Sequence, residues 1–479
     1  MKVLRQILFL SALCGIVLNA SAKDVEISGS GGKSWDSLSI ETGDNIIATA
    51  TGGTLDVNTM PASFELGNVT VNAPETMYRF TFNMGRSDGE RANLKINGDL
   101  NINSECFFYN GGILEIAGNV NIATSPDGRV SAFGYNSSGT LEKFIVGGNF
   151  YTSYNAQWSE AAMIAAFSSS RTQEAYNAAY WNDADIDIKG SVTVEQYQLK
   201  IYTSINRDGT YTKNVYAKFG SLVSTNSNTQ VAVMVSNDPT PAEYGVLNLM
   251  ITGNGADYAN NTATFAGGLA GRSNGGLHLL MNSTDGRLVQ VIQGNANITD
   301  GVTMMNGTLL LNFNNSGNHG DLNMQGGRFG SSAAAGGTFG FNDIVYKNGT
   351  ISLAMESAAA FDTLTLAGTI RFADDAAAGA KVTFDFGSDL MWLVDSSANE
   401  GLGEKIISFS SPTSLSDGDF AANFYESSGD TYMADFTVLD DGLYVKYVAV
   451  PEPAEIAAVI GALALALAFA ARRRGRRAL

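Results

Sequence analysis

Cysteine is nearly absent from this chain, which excludes a disulfide framework. Of 479 residues only Cys14 and Cys106 carry a thiol, and Cys14 lies in an N-terminal apolar stretch of the kind that is removed on export. Cys106 is then left alone, with no internal partner for a disulfide; it reads as a buried thiol, an intermolecular bond being the alternative. Histidine is as scarce. His278 alternates with Leu277 and Leu279, His319 sits in Asn318-His319-Gly320, and neither has a cysteine or a second histidine at ligand spacing, so no metal site is expected. Composition alone does not exclude a Ser-His-Asp triad. Proline is sparse, with 8 residues, and charged residues make up 16 % of the chain.

What is present begins with an export signal. Lys2 and Arg5 form a charged n-region, Ile7 to Leu18 is apolar, and Ala20-Ser21-Ala22 is a small-x-small cleavage site, giving a signal peptide over 1–22. A lipoprotein reading of Cys14 fails because Leu13 and Ser11 are the wrong residues for a lipobox. The far end is more specific. It reads Val450-Pro451-Glu452-Pro453-Ala454, then an uncharged apolar run Ile456–Ala471, then Arg472, Arg473, Arg474, Arg476 and Arg477. Two prolines keep the first segment extended. The apolar run over 456–471 spans roughly 24 Å as a helix, short against a hydrocarbon core of about 30 Å. The arginines hold the terminus in the cytoplasm.

These three elements, in this order, resemble the PEP-CTERM sorting signal, also called the ice-binding-protein C-terminal motif. The resemblance implies an exosortase-type processing enzyme as partner. Such an enzyme removes the tail (448–479) from a transiently inner-membrane-anchored protein and passes the body to the cell surface, outer membrane or exopolysaccharide matrix. An ordinary tail anchor is the plainer alternative. Removing both ends takes away seven of 29 basic and two of 47 acidic residues, so the net charge moves from −18 to −23. So acidic a body argues against nucleic acid as a partner, and against anionic polymers unless divalent cations bridge them.

Between the ends, residues 23–447 alternate at period two and are rich in glycine, with 53 residues in the chain. A phrase recurs: Leu94-x-Ile96-x-Gly98-Asp99-Leu100-x-Ile102, then Leu114-x-Ile116-x-Gly118-Asn119-Val120-x-Ile122. It returns over Phe144, Val146, Gly148, Asn149, Phe150 and Thr152, and again over Ile186, Ile188, Gly190, Ser191, Val192 and Val194. A degenerate copy runs through Ile292, Gly294, Asn295 and Ile298. The phrase reads as two short strands meeting at a corner, with Gly and Asp/Asn supplying backbone freedom there. Such units stack into a solenoid. A second phrase, Gly307-Thr308-Leu309-Leu310-Leu311-Asn312, Asn348-Gly349-Thr350-Ile351-Ser352-Leu353 and Leu364 to Phe372, resembles the passenger repeats of autotransporter-type β-helical surface proteins. The expected fold class is all-β, a right-handed parallel β-helix with a C-terminal transmembrane sorting helix; stacked β-sandwich domains are the alternative. Copies 20, 30 and 42 residues apart suggest an insertion, and alanine-rich Ser159–Phe167 and Thr172–Tyr180 suggest two helices over 155–181. Ser410 to Asp430 reads as a terminal cap. Phe436–Val438 and Leu443–Tyr447 read as a hairpin turning at Asp440-Asp441-Gly442.

Candidate binding residues are few. Ser28-Gly-Ser-Gly-Gly-Lys33-Ser34 lacks the first glycine of a phosphate loop, Ile27 standing there, and reads as a flexible turn. Asp183, Asp185 and Asp187 alternate and would share a strand face, as Ca²⁺ ligands or as a solvated edge. Glu356 with Asp374 and Asp375 could supply the paired carboxylates of a polysaccharide hydrolase, although 47 acids in the chain make chance pairs inevitable. Trp158, Tyr176, Tyr180 and Trp181 could stack on sugars or fill space under the insertion. Thr-x-Thr pairs at Thr49/Thr51, Thr210/Thr212, Thr262/Thr264 and Thr363/Thr365 are too scattered for an ice-binding array. The chain is therefore read as a non-enzymatic protein without cofactor, exported by the general secretory translocon, structural or adhesive, with exopolysaccharide as a candidate partner. A carbohydrate-active β-helix enzyme (lyase or hydrolase) and a carbohydrate-binding protein are the alternatives.

Overall fold

Short strands bounded by tight corners dominate the chain, and nearly all of them pair in parallel. The computed structural model describes residues 22–72, 79–86, 88–123, 131–134, 139–153, 162–166, 177–204, 214–235, 245–253, 261–271 and 276–450. Two compact units are present, one chiefly Met1–Leu247 and one chiefly Gly276–Leu479 with Asn248–Gly253 and Tyr258–Gly271.

In the first unit the strands stack into three parallel ladders. The first ladder runs through Ser63–Leu66, Asn93–Ile96, Ile113–Ile116, Lys143–Val146 and the start of Ile186–Val194. The second runs through Val69–Asn72, Leu100–Ile102, Val120–Ile122, Phe150–Thr152 and the end of Ile186–Val194. The third runs through Arg79–Asn83, Glu105–Tyr109, Ser131–Phe133, Ala162–Ile164 and Gln198–Ser204. The chain visits them in that order, once per coil, as a β-solenoid does; antiparallel sandwiches pair otherwise. The repeated phrase is the first two ladders. Leu94, Leu114, Phe144 and Ile186 are register partners, and so are Leu100, Val120, Phe150 and Val192.

Each of those residues faces inward and is fully or almost fully buried. The third ladder adds an interior aromatic stack. Phe82, Phe108 and Phe133 occupy one register column, with ring centroids 4.8 and 5.8 Å apart and nearly parallel planes. Stacked rings one coil apart fill the core.

The corner between the first two ladders has a constant construction. Asn45 Oδ1 accepts the backbone N–H of Asn68 (2.8 Å), Asn68 Oδ1 that of Asp99 (2.9 Å), and Asp99 Oδ1 that of Asn119 (2.7 Å). Asn119 Oδ1 accepts from Asn149 N–H and Asn149 Oδ1 from Ser191 N–H, both at 2.8 Å. Glycine precedes the corner residue for steric reasons: a Cβ at Gly98, Gly118, Gly148 or Gly190 would collide with the side-chain oxygen at the corner one coil before. None of these four has a positive φ. The backbone freedom expected of them is thus not what they supply; they supply room.

The second unit repeats the plan. One ladder joins Thr262–Phe265, Val289–Ile292, Thr308–Leu311, Arg328–Ser331, Thr350–Ser352, Val382–Asp385 and Phe420–Ala422. A second joins Gly276–Asn282, Val302–Asn306, Leu322–Met324, Ile344–Tyr346 and Ile370–Phe372. A third joins Asn314–His319, Thr338–Phe341, Thr363–Leu366 and Glu404–Phe409, where Gly442–Ala449 adds antiparallel. The corner device recurs: Asp343 Oδ1 accepts Thr369 N–H at 2.8 Å, and Gly368 leaves it space. The expected hairpin is present, Asp430–Leu439 against Gly442–Ala449 with Asp440 and Asp441 at its turn.

Two expectations change. Ala162–Ile164, inside the expected helical insertion 155–181, is a strand of the third ladder, paired with Ser131–Phe133 and Gln198–Ser204. Tertiary pairing overrides the helical preference of alanine there. At the other end of that stretch, Ala178–Asp183 is a 3-10 helix; residues 154–161 and 167–176 lie outside the described residues. Ser28–Ser34, expected as a flexible turn, belongs to the strand Asp24–Ser34, which pairs in parallel with Asn45–Asn58 through a bulge at Gly29/Gly31. The signal segment before Ala22 and the tail 451–479, with its helix 456–471, lie outside the described residues. Among the described residues no helix is long and apolar enough to cross a membrane.

The corner makes a directional prediction. Gly118→Ala should destabilise by about 1–3 kcal/mol through overpacking. Asn119→Ala should cost about 1–3 kcal/mol by stranding the Asn149 N–H. Gly418, with open space around its Cα and no positive φ, should tolerate alanine. Urea midpoints check this; equal midpoints for Gly118→Ala and Gly418→Ala would refute the steric account.

Candidate functional site

The residues with the most specific sequence signal lie at the chain's two ends, and the structure reaches the inner edge of each. Ala22 is exposed, and Lys23 follows it directly into the first strand. Lys23 O accepts Asn45 N–H at 2.9 Å, and its ammonium lies 3.4 Å from both Glu41 and Asp44. Asp44 is 5 % exposed. Burial opposes its charge, yet N–H donation from Glu41 and Lys23 and the Lys23 ammonium hold its carboxyl below the usual range. At the other end, Tyr447 is buried, its hydroxyl donating to Asn423 O at 2.8 Å, and Val450 N–H donates to Thr431 O at 2.8 Å. Val450 is the one residue of the sorting motif that is described. Ala20, Pro451, Glu452, Pro453, Ala454, Arg472, Arg473, Arg474, Arg476 and Arg477 lie outside the described residues.

The candidate acidic sites disperse. Asp183 ends the 3-10 helix and pairs with Lys143. Asp185 is 1 % exposed and accepts Tyr216 N–H at 2.9 Å. Asp187 pairs with Lys189 and with Lys218 at 3.4 Å. The alternation is real in sequence, but only Asp187 is within a strand, so the three share no face. Glu356 is in the strand Met355–Ser357, while Asp374 and Asp375 follow the strand Ile370–Phe372, and Asp375 is paired with Lys347. Among the described residues no group of three or more His, Cys, Asp or Glu is placed to hold a metal ion.

The remaining candidates are packed. Trp181 is buried and meets the Tyr216 ring edge-on at 5.1 Å, with Tyr180 at 5.5 Å from the same ring; Trp158 and Tyr176 lie outside the described residues. These two rings fill space instead of presenting a sugar platform. Cys106 is wholly buried, and desolvation, with Glu105 adding to it, raises its thiol well above the ordinary range. Thr363 pairs with Thr338, their hydroxyls 2.8 Å apart, while Thr365 faces Gly340, so no threonine array continues. Thr210 and Thr212 are outside the described residues.

Two features escaped sequence reading. The outward side of the third ladder is also apolar: Phe107, Ala132 and Met163 are buried there with Tyr109 and Tyr202 packed against them. Arg79 lies over the Phe107 ring at 4.8 Å. Its signal was available, since Cys106-Phe107-Phe108 is apolar at consecutive positions, as strands covered on both sides are. The buried polar setting of His278 is the second. The ring lies between Asn248 Oδ1 (3.2 Å) and Thr303 Oγ1 (2.9 Å). No family model matches the chain, and no curated protein or solved structure does either.

Burial lowers the His278 ring to about 4 from 6.5, Asp300 acting weakly against it. The unfolded ring then takes up its proton first as pH falls. The stabilisation is complete above about pH 6.5 and is lost progressively toward pH 4, by up to about 3 kcal/mol. His278→Gln should flatten that component of the stability profile, and the ring resonances of the wild type should stay neutral down to pH 5. A ring titrating near 6.5 would overturn the assignment.

Proposed function

We propose that this chain is an exported envelope protein whose C-terminal tail is a removable sorting signal and whose β-solenoid body serves a structural or adhesive role at the cell surface or in the exopolysaccharide matrix. The observation that carries the reading is the tail itself: Pro-Glu-Pro at 451–453, an under-length apolar run over 456–471 and an arginine stop, following in sequence on Val450, whose N–H donates to Thr431 O. The solenoid is taken as right-handed, the hand that twisted strands impose on parallel crossovers. Export through the general secretory translocon leaves a chain beginning at Lys23.

The non-enzymatic part of the reading is supported by where the acids go. Asp183, Asp185, Asp187 and Asp375 each engage a separate partner, whereas hydrolysis needs two carboxyls facing one bond. The surface offers polar register columns instead. Asn121 donates to Asn101 and Asn103 to Asn72, both at 2.9 Å, as suits a load-bearing or contact surface.

Mass spectrometry of the protein from intact cells checks the proposal at both ends. The expected N-terminus is Lys23, and the expected C-terminal peptide lacks Arg472 to Arg477. Replacing Pro451, Glu452 and Pro453 together by alanine should retain the arginines and leave the protein in the inner membrane. An arginine-bearing terminus on the wild-type surface protein would refute the sorting role.

A further inference from the structure

We infer that the Asp44 carboxylate is a binding site for the chain's own processed N-terminus, a primary ammonium created at Lys23 when the leader is removed. The inference rests on the cleavage after Ala22 proposed above. The backbone nitrogen of Lys23 already faces Asp44 Oδ1 at 3.4 Å, a long contact for a neutral amide donor. The other carboxylate oxygen is fixed by Glu41 N–H at 2.8 Å. The peptide carrying Asp44 is anchored in turn: Asp44 N–H donates to Glu41 O (3.1 Å), and Gly67 N–H donates to Asp44 O (2.7 Å). The acceptor is therefore buried, oriented and held from the next coil.

Charge balance points the same way. Two carboxylates, Glu41 and Asp44, face the single side-chain ammonium of Lys23 at 3.4 Å. Hydrolysis of the Ala22–Lys23 bond turns the Lys23 amide nitrogen into a second ammonium at the same place, with no change of backbone path. A neutral hydrogen bond becomes a charge-assisted one at a buried carboxylate. Lys23 O and Asp24 are tied to Asn45, whose N–H donates to Lys23 O and whose Nδ2 donates to Asp24 Oδ1, both at 2.9 Å. Holding Lys23 thus holds the first rung of the ladder, Asp24–Ser34 on Asn45–Asn58. Removal of the leader fastens the strand that would otherwise fray first.

The test uses the chain with its tail retained, released from a cleavable fusion so that the first residue is either Lys23 or Ala22, each with Asp44 or with Asp44→Asn. Hydrogen exchange of peptides covering 24–34 and 45–58 is read by mass spectrometry. The chain starting at Lys23 should exchange about ten-fold more slowly there than the chain starting at Ala22, and Asp44→Asn should abolish that difference. Equal exchange in the two Asp44 chains overturns the site, as does an undiminished difference in Asp44→Asn. Should Asp44→Asn fail to fold, Nα-acetylation of Lys23 in the Asp44 chain replaces it: acetylation should remove the slowing, and slowing that survives acetylation overturns the site. N-terminal sequencing of the exported protein is scored separately. A first residue other than Lys23 refutes the processing reading and the lock's use in the cell, whereas the exchange data decide on their own whether the carboxylate binds the ammonium.

Discussion

Everything regular in the first unit depends on one contact, the side-chain oxygen at each corner accepting the backbone N–H of the corner one coil on. Five such bonds run from Asn45 to Ser191. They satisfy donors at a bend where strand pairing lapses, and an unsatisfied donor there would cost about 1–3 kcal/mol. The contact goes with a nearly constant chain length at this corner. The step from the first ladder to the second is six residues in four successive coils, Leu94 to Leu100, Leu114 to Val120, Phe144 to Phe150 and Ile186 to Val192. The first coil makes the step in five, Phe64 to Val69, and length varies far more at the other two corners. From the third ladder back to the first the chain takes seven residues between Phe107 and Leu114, but 23 between Met163 and Ile186. Coils of 20, 30 and 42 residues therefore stack on a common register, because surface loops lengthen at low entropic cost.

That division explains what the sequence disclosed. The corner phrase was legible because sterics leave glycine and a short polar acceptor as the workable pair, so four coils repeat it. Its mechanism was not legible, because glycine is called for both by positive φ and by close approach, and only coordinates separate the two. The third ladder was hidden for a different reason. Its strands carry apolar residues on both sides and no fixed corner, so Ala162–Ile164 looked like helix and Ser131–Phe133 like nothing in particular. Alternating Asp183, Asp185 and Asp187 misled because period two implies a shared face only where all three residues are in strand. Of the candidate site, the chain ends were readable as motifs, whereas the burial of Asp44 depends on pairing across 21 residues, which no local pattern encodes.

The solvent side of the same register explains how so acidic a body stacks without repelling itself. In the outward column of the first ladder Glu65, Lys95 and Glu115 are successive partners, and further along Asp187 faces Lys218 at 3.4 Å. Like charges directly opposite would destabilise, and alternation avoids it. Exposed pairs of this kind add little stability singly; their role is to fix register and keep the surface soluble. Further acids lie in turns, such as Asp374 and Asp440, while Asp441, also in a turn, pairs with Lys405 of the strand Glu404–Phe409.

Parallel ladders are templates at their open edges, and both units blunt them. Among the described residues Asp24–Ser34 pairs only with Asn45–Asn58, and a bulge with Gly29 and Gly31 at positive φ interrupts its regular edge. At the other terminus the third ladder of the second unit reverses direction: Gly442–Ala449 lies antiparallel between Glu404–Phe409 and Asp430–Leu439, and the outermost strand, Tyr425–Ser427, has three residues. The last strand before the tail is thus an inner one, hydrogen-bonded on both sides. Under the proposed sorting role this matters mechanically. A tail attached to an edge strand would let a membrane tether peel the cap one hydrogen bond at a time, whereas force entering at Val450 must first part the hairpin Asp430–Leu439 from Gly442–Ala449 and then shear the latter from Glu404–Phe409.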